Sequence, residues 1–96
     1  MTKTITAAGY ITHDRDGIAI YGMGNTPDEA WAELLEFCSP FFDSRGNEIA
    51  AEVARETQFV TVPASAALME QVRREGGCIS WSWVNDVACA ESETER

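Results

Sequence analysis

The spacing of apolar residues changes period along the chain, and each change marks an element. Ile5–Thr12 is rich in β-branched and aromatic residues, which suit a pleated, half-buried surface, so a strand is expected there. Within the following His13-Asp14-Arg15-Asp16-Gly17, Asp16-Gly17 is a hairpin-turn signal. Ile18–Tyr21 alternates, with Ile18 and Ile20 opposed to Ala19 and Tyr21, and predicts a second strand ending at Gly22-Met23-Gly24-Asn25. The period then turns helical: Trp31, Leu34, Leu35 and Cys38 recur at i, i+3, i+4 and i+7 and define one buried stripe. Thr26 is placed as the N-cap, Pro27 as the first helical residue, and Glu29 completes a capping box. Asp28 and Glu29 complement the positive end of the helix dipole, and Ser39-Pro40 stops the helix.

Beyond this helix the signals shorten. Phe41 and Phe42 are expected to plug the core, and Ser44-Arg45-Gly46-Asn47 reads as a turn. Asn47 can cap a short helix over Glu48–Glu56, with Ile49, Ala50 and Val53 inward. Gln58–Val62 predicts a third strand closed by Pro63. Ser65 caps a helix over Ala66–Glu75 that buries Leu68, Met69 and Val72, and Gly76-Gly77 ends it in left-handed backbone. In Cys78–Val84, Ile79, Trp81 and Trp83 point one way while Ser80 and Ser82 point the other. Asn85-Asp86 then turns the chain into Val87–Ala90, and 91–96 is expected to be a frayed acidic tail. This ββα, short helix, βαββ order predicts an α+β domain over 1–90, a mainly antiparallel sheet with two or three helices packed on one face.

Composition supports a folded domain: 45% of the 96 residues are hydrophobic. No apolar run approaches the ~20 residues that span a bilayer, and Met1-Thr2-Lys3-Thr4-Ile5 lacks the apolar stretch of a signal peptide. Cys38, Cys78 and Cys89 are odd in number and contain no C-x-x-C pair, which argues against a disulfide framework or zinc and reads as small buried hydrophobes in a reducing compartment. A catalytic thiol needs a basic neighbour to lower its pKa, and His13 is the only histidine. A small Cys-dependent enzyme pairing Cys78 or Cys89 with His13 is therefore one alternative reading.

Other chemistries fail on spacing. Gly22-x-Gly24 opens a dinucleotide pattern, but the third glycine would fall at Pro27, and Asp28 and Glu29 stand where a phosphate would sit. The pair reads instead as a flexible turn from strand to helix. His13–Gly17 lacks the oxygen ligands of a calcium loop, so His13 reads as an exposed residue beside a hairpin tip. Ser80 and Ser82 have no G-x-S-x-G elbow around them. No metal and no cofactor are expected.

Charge is the feature with functional content. The net charge is −9, and 27–57 holds eight acids (Asp28, Glu29, Glu33, Glu36, Asp43, Glu48, Glu52, Glu56) against Arg45 and Arg55. Such a field repels nucleic acid and anionic membranes and attracts basic protein surfaces. Glu29, Glu33 and Glu36 share one outward face of the first helix. Glu48, Glu52 and Glu56 recur every four residues on the expected second helix, about 6 Å apart along its axis. Carboxylates at that pitch can mimic a phosphate backbone and fill a basic nucleic-acid channel; the plainer reading is two solvated helix faces.

Residues 9–37, with the Asp14-Arg15-Asp16-Gly17 hairpin and Thr26-Pro27-Asp28-Glu29-Ala30 opening a helix, resemble the HicB-like antitoxin fold. That resemblance implies a small acidic domain that blocks a basic RNA-cleaving toxin. Pro63-Ala64-Ser65-Ala66-Ala67-Leu68, Gly76-Gly77-Cys78-Ile79-Ser80-Trp81 and Val87-Ala88-Cys89 resemble small proteins of phage and prophage gene clusters. This second resemblance implies a mobile-element origin and a host-defence inhibitor, and names no activity. Without a signal peptide the expected location is the cytoplasm of a bacterial host cell, and the acidic rows make an anti-CRISPR or other DNA mimic the sharpest form of the inhibitor reading. The leading expectation is a non-enzymatic acidic module that meets a basic partner through Glu29, Glu33, Glu36, Glu48, Glu52 and Glu56. A structural phage component or homo-oligomer burying Trp81 or Trp83 is a third reading, since tryptophan is enriched at interfaces.

Overall fold

A computed structural model describes residues 5–93. Strands β1 (Ala7–Asp14) and β2 (Ile20–Gly24) form the first hairpin, and α1 (Pro27–Cys38) follows. A short ribbon of β3 (Phe41–Phe42) and β4 (Glu48–Ile49) leads into α2 (Ala51–Thr57). Then come β5 (Phe59–Ser65), α3 (Ala66–Glu75), β6 (Trp81–Val84) and β7 (Val87–Ala90), with a 3-10 turn over Glu91–Glu93. Five strands make one sheet in the order β2-β1-β5-β7-β6, while β3 and β4 pair separately. All its pairings are antiparallel except β5 with β7. The fold is α+β with a mainly antiparallel sheet, as the apolar pattern predicts.

The helices do not all pack on one face, and the two central strands explain why. Ile11 and Thr12 are consecutive on β1, so they point to opposite sides, yet both are fully buried. A sheet apolar on both sides needs a layer on each. On one side Thr12 lies opposite Gly22 and Thr61, and Tyr10 opposite Gly24. A Cβ on Gly22 would sit 2.2 Å from the Ala30 carbonyl oxygen, and one on Gly24 2.5 Å from Glu29 Cβ, which places α1 against this side. Gly22 and Gly24 are thus strand residues that let a helix backbone approach closely, not a flexible turn. Trp31 and Leu34 of α1 cluster here with Phe41, Ala54 of α2 and Phe59. On the other side Ile11, Ile20, Ala64 and Ala88 pack with Leu68 and Met69 of α3 and with Trp81.

The first helix forms as its punctuation predicts. Thr26 Oγ1 accepts the Glu29 N–H at 3.1 Å. The Glu29 carboxylate reaches back one residue past the cap and accepts from Asn25 N–H at 3.1 Å. Glu33 likewise accepts from Met23 N–H at 3.3 Å, and Ile20 N–H donates to the Gly77 carbonyl at 2.9 Å. A bulge between Thr12 and His13 sets the phase that turns these three amides away from β1. Two outward amides of β2 and that of Asn25 just beyond it are therefore engaged.

Two expectations change in the middle and at the end. Residues 48 and 49 are strand, not helix, and α2 begins only at Ala51 after Ala50, with no side-chain cap. Asn47 closes the ribbon turn instead: its N–H donates to Asp43 Oδ1 at 2.9 Å, and its carbonyl accepts from Asp43 N–H. Phe41 pairs with Ile49 and stacks on Trp31, so burial of Ile49 through strand pairing outweighs a helix start that no cap supports. Within α2, Ala54 faces inward and Val53 is exposed. The expected frayed tail is ordered over Glu91–Glu93, where the Glu93 carboxylate accepts from Ser65 Oγ at 2.6 Å and from Ala90 N–H at 2.7 Å; 94–96 lie outside the described residues.

Candidate acidic face and groove

The six glutamates expected to meet a partner fall on one side of the sheet. Glu29, Glu33 and Glu36 lie on α1, Glu52 and Glu56 on α2, and both helices cover the same sheet face. Glu48 lies on β4, so the expected Glu48-Glu52-Glu56 helical row is cut to two members; the strand pairing of Ile49 removes the first. All six are exposed except Glu33, which is half-buried against β2. Among the described residues none of the six forms an ion pair. Glu29 and Glu33, however, already spend one oxygen each on β2-side amides.

Two arginines near this face hold other partners, while Arg45 stands exposed on the ribbon turn. Arg55 pairs with Asp28 at 3.1 Å and lies over the Trp31 ring, bridging α1 and α2 rather than neutralising Glu52 or Glu56. Arg15 donates to the Glu56 backbone carbonyl at 2.8 Å. On the opposite side, α3 is balanced by its own pairs, Arg73 with Glu70 at 3.5 Å and Arg74 with Glu75 at 3.7 Å. Charge is thus segregated across the sheet.

At the carboxyl ends of α1 and α2 the same side opens into a groove of about 700 Å³. Phe41, Phe59, Tyr21 and Cys38 line it, Phe42 stands exposed at its edge, and Asp14, Asp16 and Asp43 add carboxylates; no lysine, arginine or histidine lines it. Phe59 meets Tyr21 and Phe41 edge-on, with ring centroids 5.7 and 5.8 Å away. Turn amides orient the acids: Asp14 Oδ1 accepts from Asp16 N–H at 3.2 Å, and Asp43 Oδ1 from Arg45 N–H at 2.9 Å. Amide donors, foremost that of Asn47, hold the Asp43 carboxyl below its usual range. Burial pushes the Cys38 thiol up, and burial followed by the Asp14 charge does the same to the Tyr21 phenol. At neutral pH the groove therefore presents neutral sulfur and phenol beside anionic oxygen.

The acids at 14 and 16 read only as turn residues, and nothing in the local pattern announces that positions 14, 21, 43 and 59 converge. His13 was expected at an exposed tip but is 8% exposed. Its Nδ1–H donates to the Asp14 and Gly17 carbonyls, and its ring lies edge-on to Trp81 and Trp83, with Nε2 lacking a hydrogen-bond partner among the described residues. Trp81 is core, its Nε1–H donating to the Ile18 carbonyl, whereas Trp83 is 48% exposed. Strand alternation turns Cys89 to the α1 side, since its neighbour Ala88 packs with Ile11 on the α3 side, where His13 also points. Cys89 and His13 therefore cannot form a pair, while Cys78 is exposed.

Among the described residues no cluster of three or more histidine, cysteine or acidic side chains is placed to hold a metal ion, and no helix is long and apolar enough to cross a membrane. Comparison with family models, curated proteins and solved structures returns no match to this chain.

Proposed function

We propose that this chain is a non-enzymatic, acidic protein-binding module of phage or prophage type, whose α1–α2 side covers the basic surface of a nucleic-acid-binding host complex. The observation that carries this reading is the segregation of charge: the eight acids of 27–57 share one side of the sheet and outnumber Arg45 and Arg55, of which Arg55 is held by Asp28. A one-sided field steers a basic partner by long-range attraction, so association should be fast and weaken with salt. Carboxylates held on rigid helices then occupy positions that phosphates would otherwise take.

Capture from a bacterial lysate at low and high salt, with the wild-type chain and an E36Q/E52Q/E56Q variant, tests the reading. The expected result is retention of a nucleic-acid-binding complex at low salt only, its loss in the variant, and exclusion of DNA or RNA from the captured complex. Recovery of one small basic RNase would replace this reading with the antitoxin one suggested by residues 9–37. Recovery of no basic protein would overturn both.

A further inference from the structure

We infer that the groove between the β1–β2 hairpin and the carboxyl ends of α1 and α2 is a docking slot for an arginine side chain of the basic partner. The inference rests on the acidic-face reading and names the contact that would give it specificity. Its shape and lining match one occupant. Phe41 and Phe59 offer an apolar surface for a methylene stem, and Tyr21 and Phe42 offer partly exposed rings for a planar cation. Asp14 and Asp43 are held by turn amides in fixed orientations, which suits a guanidinium fork better than a freely hydrated ammonium.

The helices reinforce the charge preference. Both α1 and α2 end at the groove, through Cys38 and Thr57, and bring the negative ends of their dipoles to it. The last turn of α1 contains no basic residue that would answer this field from within. Three cations stand near it, none of them lining it: the Arg15 guanidinium is engaged by the Glu56 and Phe59 carbonyls, Arg55 in the last turn of α2 pairs with Asp28, and Arg45 lies exposed on the ribbon turn. A phosphate or nucleotide would meet three aspartates, and a metal ion lacks a convergent ligand set among the described residues. A side chain with an apolar stem and a flat cationic head fits all of these features.

The test is an amide NMR titration with hexa-arginine and, separately, hexa-lysine. Binding by wild type is compared with Asp14→Asn/Asp43→Asn in the groove, with E36Q/E52Q/E56Q on the helical side, and with Glu70→Gln/Glu75→Gln on α3. The last variant removes as many charges as the groove variant, and thermal melts verify that all remain folded. The expected result is saturable shifts at Tyr21, Phe42 and Gln58, tighter for arginine than lysine, and about tenfold weaker in the groove variant alone. Shifts confined to the outer sides of α1 and α2, lost only in E36Q/E52Q/E56Q, would overturn the slot while leaving the acidic-face reading intact. Equal response to the two peptides would overturn arginine selectivity, and no saturable shift with either would overturn slot and face together.

Discussion

Individual side chains of this protein act mainly through what they leave room for and what they keep neutral. Gly22 is the clearest case, because a methyl there meets the backbone of α1 at Ala30 and Leu34 rather than a yielding side chain. Gly22→Ala is expected to cost about 1–3 kcal/mol, read as a lower urea midpoint at unchanged m-value. Gly17→Ala, where the nearest atom is 3.7 Å away, serves as the contrast and should be tolerated. Tyr21 gives a pH signature. Folding raises its pKa above the ordinary 10.0, so the neutral phenol is favoured in the native state. Its contribution is whole below the unfolded value and fades as pH climbs through the folded one. Urea midpoints from about pH 8 to about pH 11 should therefore fall more steeply for wild type than for Tyr21→Phe. The cysteines should alkylate in the order Cys78, Cys38, Cys89: the first is exposed, the second is partly covered with a raised thiol pKa, and the third is buried. Mass spectrometry of briefly iodoacetamide-treated protein resolves that order.

At the scale of elements, α3 and the chain end form one unit. Ser65 Oγ caps α3 by accepting the Leu68 N–H at 3.2 Å and donates to Glu93, so a carboxylate from beyond β7 fixes the cap. Glu93→Ala is expected to destabilise by about 1–3 kcal/mol, and hydrogen exchange should rise first at the Leu68 and Ala90 amides. That link was illegible in the chain, because a Ser–Glu contact 28 residues apart leaves no periodic trace. The helices at 27–38 and 66–75 were legible because caps and apolar spacing agreed at each end. The β3–β4 ribbon was not: two-residue strands carry no period, and Ile49 is recruited by Phe41 and Trp31, which sequence distance conceals. The assignment of helices to faces was lost for a related reason. Residues Ile11-Thr12-His13 are buried in succession, so β1 shows no polar side from which one solvent face could be read.

Over the whole molecule, the acidic half of the chain becomes an acidic side of the fold because α1, the ribbon and α2 all belong to the connection from β2 to β5. Only the clustering of acids within 27–57 follows from the charge count along the sequence; that α1 and α2 cover the same sheet face does not. The groove does not, since it depends on a bulged hairpin, an Asx-capped turn and two helix ends meeting. The same segregation makes the molecule an electrical dipole, acidic on the α1–α2 side and near balance on α3. Immobilisation on an anion exchanger should therefore be oriented, with α3 amides remaining as exchangeable as in free solution while those of α1 and α2 slow; exchange mass spectrometry on the resin checks this.

The engaged margin of β2 limits what this sheet can become. The Ile20 and Met23 amides, and that of Asn25 just beyond the strand, are engaged by Gly77, Glu33 and Glu29, so the strand is a poor template for another chain. Among the described residues the opposite margin, β6, is the more open place for a foreign strand to add to the five-stranded sheet. Two copies joined along β6 would present the partly engaged margin of β2 at either end. The architecture thus disfavours edge-to-edge growth of the folded sheet beyond a pair.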